Sequence, residues 1–119
     1  METRRFRDLH VWQRSMGLAG QVYKLTEGFP RCEQFGLVSQ IRRAAVAVPS
    51  NIAEGRGRTG DKSFAFFLSQ ARGSLYELQT QIELAGDLGF VGKESIQPVM
   101  TEAEEIASMI HGLLATLQV

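Results

Sequence analysis

Along the chain, apolar residues return at alternating steps of three and four in four separate stretches. Leu9, Trp12, Met16, Ala19 and Tyr23 form the first set, and Val38, Ile41, Ala45, Val48 and Ile52 the second. Phe64, Leu68, Ala71, Leu75, Leu78, Ile82 and Ala85 form the third. Ile96, Val99, Ala103, Ile106, Ile110, Leu113 and Leu117 form the fourth. This spacing keeps one stripe on one face of a helix. It predicts helices over about residues 8–27, 33–55, 61–88 and 94–117, within one domain spanning residues 1–119. No stretch alternates with period two over a strand's length. The expected class is therefore all-α: an antiparallel up-down four-helix bundle, its stripes meeting at the shallow crossing angle of such bundles.

The joints carry breaking signals. Gly28 and Pro30 separate the first two predicted helices, and EGRGRTGDKS separates the second from the third. There Gly55 or Gly57 suits a left-handed cap, and Asp61 suits an N-cap that accepts from the amides after it. Gly86 or Gly89 ends the third helix. Pro49 falls inside the second stripe, where it removes one backbone donor and crowds the carbonyl of Ala45. Because the stripe keeps its phase to Ile52, the expectation is a kink at Pro49; a stop with a new N-cap at Ser50 is the alternative.

The first predicted helix is apolar on a second side. At about 100° per residue, Val11, Leu18, Val22 and Leu25 group some 120° from the centre of its stripe. Phe66 likewise points away from the core direction of the third helix. One bundle does not cover all of these, and contiguous exposed apolar surface marks an interface. These five residues are the expected oligomer interface. Cover by loops or by an N-terminal arm carrying Phe6 is the alternative.

Composition adds one fact to this picture. The formal net charge is zero, yet its halves differ. Residues 1–72 hold twelve Lys/Arg against six Asp/Glu, and residues 73–119 hold one against seven. A basic face for a polyanion and charge complementarity between helices or subunits are the two readings. No apolar run approaches the roughly 20 residues of a membrane span. The charged start METRRFRDLH is unlike a signal peptide, and the single Cys32 excludes an internal disulfide. A cytoplasmic location is expected.

Candidate chemistry is sparse. Di-iron bundles use paired Glu-x-x-His motifs, and this sequence has none. Glu104 and His111 share a solvated face, His10 lacks a partner at metal spacing, and Cys32 lacks a nearby His in sequence. No enzyme activity, metal or cofactor is expected. The Gly-rich loop lacks Walker spacing and joins two helices. Even so, Arg56, Arg58 and Lys62 flank the start of the third helix, where free amides favour a phosphate group. Arg42 and Arg43 lie on the second helix, Arg43 facing outward and Arg42 at the core boundary. These five are the candidate nucleic-acid contacts, joined by Arg4, Arg5 and Arg7 if copies repeat them around a ring. A local Arg–Glu network is the competing use.

Three segments carry a resemblance: FRDLHVWQRSMGLAGQVYKLT, FPRCEQFGLVSQIRRAAVAVPSNIAEGRGR and FAFFLSQARGSLYELQTQIELAGDLGF. They resemble the bacterial four-helix bundle family encoded in intervening sequences of 23S ribosomal RNA genes, often labelled S23 ribosomal proteins. The VPSNIAEG segment after RRAA is its most specific part. The resemblance implies an up-down bundle assembled as a homopentamer, with no settled activity. It is also similar to the accessory variability protein of diversity-generating retroelements, a basic pentamer that binds nucleic acid and a reverse transcriptase. Carried over by resemblance, Arg42, Arg43, Arg56 and Arg58 become phosphate contacts, although this chain is neutral overall. The reading that emerges is a non-enzymatic oligomeric scaffold binding RNA or a nucleic-acid-processing protein through a basic face. A protein–protein adaptor with its arginines in intersubunit salt bridges is the alternative.

Overall fold

All four predicted helices form, with two adjustments at their starts. The structure, a computed structural model, describes residues 5–119 and holds helices but no strand among them. A short helix α1 (Arg5–Asp8) breaks at Leu9, whose backbone is extended, and α2 (His10–Thr26) follows at once. A 3-10 turn at Arg31–Glu33 precedes α3 (Leu37–Gly57), so α3 starts later than its stripe suggests. Glu33 sets that start by accepting from the Leu37 amide at 3.2 Å. Then come α4 (Asp61–Asp87) and α5 (Lys93–Thr116).

The dimensions fix the packing. With 27 residues, α4 spans about 40 Å, close to the 44 Å long axis of the molecule. The 22 × 19 Å cross-section admits two helices each way at about 10 Å apiece. Within it, α2 and α4 each pack against both α3 and α5. The four long helices thus form a bundle around a single core.

Three stripes are buried as their spacing predicts. Val38, Ile41, Ala45, Val48 and Ile52 line the inner face of α3, and the seven predicted residues of α4 are all buried. On α5, Ile96, Val99, Ala103, Ile106 and Ile110 are buried, while Leu113 and Leu117 pack on the core from its edge.

On α2 the two stripes largely trade places, with Leu9, Trp12 and Ala19 only partly buried against the edge of the core. Val11, Leu18 and Val22 are 2%, 0% and 0% exposed and belong to the core, with Leu25 packed against it. Met16 and Tyr23, expected inside, are 49% and 43% exposed. The predicted oligomer seam on this helix is therefore the inner face, and its residues are not free for a neighbour. The cause lies in Ser15 and Thr26, polar residues that interrupt the true stripe. Each hydroxyl donates to a carbonyl one turn back, Ser15 to Val11 at 2.6 Å and Thr26 to Val22 at 2.9 Å. A buried hydroxyl satisfied in this way costs little. Part of the outer stripe is covered by α1, where the Phe6 ring meets Trp12 edge-on at 5.3 Å.

The joints close by other means than expected in two places. Gly55 and Gly57 remain helical, and the α3 terminus ends on an extended Arg58 instead of a left-handed glycine. Gly60, at φ 89°, turns the chain into α4. Asp61 is the first helical residue and not the cap; its carboxylate accepts from the Gln118 amide at 2.9 Å. At the far end of α4, Gly89 has φ 80°. There Phe90 N–H donates to Ala85 and Gly89 N–H to Gly86, the paired bonds of a Schellman cap. Phe90 then meets Phe29 of the α2–α3 connection at 6.1 Å, which ties two loops together at one end of the bundle.

The helix α3 runs through Pro49 without interruption, so the proline does not stop it and Ser50 caps nothing. Near its end, buried Gly55 faces Phe64 and Phe67 of α4 at close range. A Cβ there would lie 2.6 Å from the Cβ of Phe67, well inside contact distance.

Candidate functional site

Exchange of the α2 stripes leaves an apolar edge beside α3, and a groove follows from it. Tyr23 of α2, Phe35 of the connecting turn and Val46 of α3 border an open groove of about 620 Å³, together with Val38, Ser39, Arg42 and Arg43. Phe35 is 91% exposed, the most exposed large apolar side chain described. Sequence reasoning missed this site because it placed Tyr23 in the core. The available signal was the pair Phe35 and Val46, which fit no inner stripe.

Two arginines of the groove have different situations. Arg42 donates from Nε to the Thr26 hydroxyl at 2.8 Å and from Nη2 to the Tyr23 carbonyl at 3.2 Å. Its guanidinium also lies 4.4 Å from the centre of the Tyr23 ring. A cation at the last turn of α2 offsets the negative end of the helix dipole, so Arg42 works as a strut between α2 and α3. Arg43 is exposed and has no hydrogen bond or ion pair among the described residues. It also borders a second cleft of about 310 Å³ between α3 and α4, with Gln40, Ala44, Ala47 and Glu77. Beside that cleft, Gln81 is buried, and its Oε1 has no partner.

The other candidate cations stand elsewhere. Arg56 lies thirteen positions beyond Arg43, about 20 Å along the axis. Arg56 lies over the Phe64 ring at 5.4 Å and Arg58 over Phe67 at 5.1 Å. Arg58 further donates to Glu54 at 2.5 Å. Lys62 is exposed in the first turn of α4. Asp61 precedes it, so a carboxylate already occupies the end of α4 where a phosphate was expected. Phe66 is exposed beside Phe67, at 5.1 Å between rings. The five candidate cations therefore form two groups, one in the first half of α3 and one at the α3–α4 joint, and not one continuous face. Arg4 lies outside the described residues. Arg7 is stacked over Phe6 at 4.6 Å.

On the opposite side, Arg14 of α2 bridges to α5. It donates to Glu102 from Nε at 2.8 Å and from Nη2 at 2.6 Å, and also to Glu105. The hydrogen bonds to Glu102 and then Glu105 hold its guanidinium more firmly in the charged form than water does. His10, His111 and Cys32 are each exposed. No group of three His, Cys, Asp or Glu able to hold a metal ion occurs among the described residues. None of the described helices is long and apolar enough to cross a membrane.

Four long helices around a single core, with an open groove between α2 and α3, define the class as an all-helical bundle. Within that class, the family model described as 23S rRNA-intervening sequence protein matches residues 7–112, and the chain belongs to this family. No curated protein matches the chain. Among solved structures, it is similar to a protein of unknown function from the S23 ribosomal protein family of Bacteroides thetaiotaomicron VPI-5482. That likeness has a TM-score of 0.80 at 20% identity, over 89% of this chain and 99% of the other. It carries the fold alone.

Proposed function

We propose that the protein is a non-enzymatic, self-associating scaffold that docks other chains through the α2–α3 groove. The observation that carries this is the meeting of Tyr23, Phe35 and Val46, all exposed, around an unpaired Arg43. An apolar patch rimmed by a charge suits a protein partner. Both cations of the groove are arginines, whose planar guanidinium suits contact with a carboxylate of a docked chain. We read the chain as running up and down through the bundle with a bend at Pro49, five copies assembling as the resemblance implies, in the cytoplasm. Contacts of Gly55 with Phe64 and Phe67, and of Gly86 with Ile96, support the up-down path, since each joins a helix end to the next helix's start.

A second reading is favoured by the surplus of twelve basic over six acidic residues in residues 1–72. In it, Arg43, Arg58 and Lys62 contact the phosphates of an RNA. The family's description names 23S rRNA, which makes fragments of that RNA the natural probe. Light scattering and RNA retardation across a salt series separate the two readings. The scaffold reading expects a multimer at moderate salt with RNA retarded weakly or not at all. A monomer of chain mass, 13.2 kDa, at every concentration overturns it. Tight RNA retardation that falls steeply with salt, and is lost in Arg43→Glu without loss of the multimer, installs the second reading instead.

A further inference from the structure

The outer side of α4 carries exposed apolar residues and acids, where the groove carries exposed apolar residues and an arginine. Between residues 73 and 92 the chain has Glu77, Glu83 and Asp87 and no Lys or Arg. In the same half of α4, Tyr76, Leu84 and Leu88 are exposed. At about 100° per residue, Tyr76 and Leu84 fall on the crest of the helix, with Glu77 on the α3 side and Glu83 on the α5 side. The groove shows the converse: an apolar lining of Tyr23, Phe35 and Val46 beside Arg43. Residues 21–47 hold four Lys/Arg against two Asp/Glu, and one of those acids, Glu33, is turned onto the start of α3.

We propose that the α4 crest of a second copy seats in the α2–α3 groove, Leu84 against Val46 and Tyr23, with Glu83 facing Arg43. Opposite charge at the rim and apolar surface at the centre commit the occupant to another copy of this chain. Groove and crest are different surfaces of one molecule, so the contact is head-to-tail and repeats, closing as a ring when the rotation between copies permits. Neither Arg43 nor Glu83 has an ion pair among the described residues, which leaves both free for this contact. This inference rests on the self-associating reading above and names the surfaces that carry it.

Charge reversal in the full chain tests it, with assembly read by sedimentation and folding by circular dichroism. Arg43→Glu and Glu83→Arg, each alone, place like charges face to face and are expected to weaken assembly roughly tenfold or more. Together in one chain, they restore it. Mixing the two single variants restores association in alternating copies, because each mutated surface now matches the other, although a ring of five keeps one mismatched contact. Leu84→Ser provides an apolar variant that weakens assembly without changing charge. Every variant is at an exposed position and should keep the parent's helicity, with melting temperatures equal at dilutions where all are monomeric. If the parent is a multimer and both single reversals leave it unchanged, the pairing is wrong and the scaffold reading stands. Failure of the double variant to regain assembly while still folded also overturns the pairing. A parent that is monomeric at high micromolar concentration sinks both.

Discussion

Single positions in this bundle divide sharply by whether they face the core, and α2 provides the plainest test. Leu18 is fully buried and Met16 half exposed, although both fit an apolar repeat. Leu18→Ala should cost about 2–5 kcal/mol, through lost transfer energy and the cavity left behind. Met16→Ala should cost less than about 1 kcal/mol. Urea unfolding of the two variants checks the order, and equal losses would mean that α2 is turned differently. Gly55 is the second such position. Because an added Cβ meets the Cβ of Phe67 at 2.6 Å, Gly55→Ala must push α3 from α4, at a cost of about 1–3 kcal/mol. Gly57, where a Cβ meets nothing within 4 Å, is the control for helix propensity.

Between elements, polar struts set how the helices lie against one another. Arg42 joins α3 to the last turn of α2 through Thr26 and the Tyr23 carbonyl. Removing it in Arg42→Met leaves that carbonyl end without its cation and should lower stability by about 1–2 kcal/mol. Arg43→Met should stay within about 0.5 kcal/mol of the parent. Adjacent arginines that looked alike in RRAA thus differ by role, a difference that thermal melts will show. The sequence disclosed α3, α4 and α5 well, since their stripes hold apolar residues with no polar interruption. It misled on α2 because two apolar stripes compete there, and Ser15 and Thr26 make the true one look weaker. Hydroxyls that bond back to their own helix carry no mark of burial in the sequence. The ends of α4 were legible to within a residue and Gly89 closes its C-terminus as one of the two glycines expected, yet the capping chemistry at its start was not legible. Whether Gly55, Gly57, Gly60 or Asp61 closes the turn depends on how near Phe67 comes, and that is a tertiary fact.

At the scale of the molecule, the candidate cations do not gather on one face. Arg42 and Arg43 lie in the first half of α3, while Arg56, Arg58 and Lys62 lie at the α3–α4 joint, where Arg56 and Arg58 sit over Phe64 and Phe67. That division argues against one continuous track for a polyanion and favours contact with shaped protein surfaces. Exposed ion pairs are screened within about 8 Å at physiological salt. Any assembly through the groove should therefore weaken as salt rises but persist through its apolar centre, measurable as a shallow salt slope in sedimentation. A steep slope would instead point to charge alone.

The bridge from Arg14 to Glu102 and Glu105 has a consequence for a helix that is oily on opposite flanks. Such a rod can roll about its own axis and still bury hydrocarbon, so hydrophobicity by itself leaves two competing orientations. Only one of them brings Arg14 to the two carboxylates; rolling α2 to bury Tyr23 swings the guanidinium into open water. The ion triad thereby selects the rotational setting more than it adds to total stability, for which a half-exposed network contributes about 1 kcal/mol. Arg14→Met should then keep its helicity and much of its melting temperature while the emission of Trp12, the sole tryptophan, splits into two environments. A single unchanged emission band would mean that the roll is fixed by packing alone.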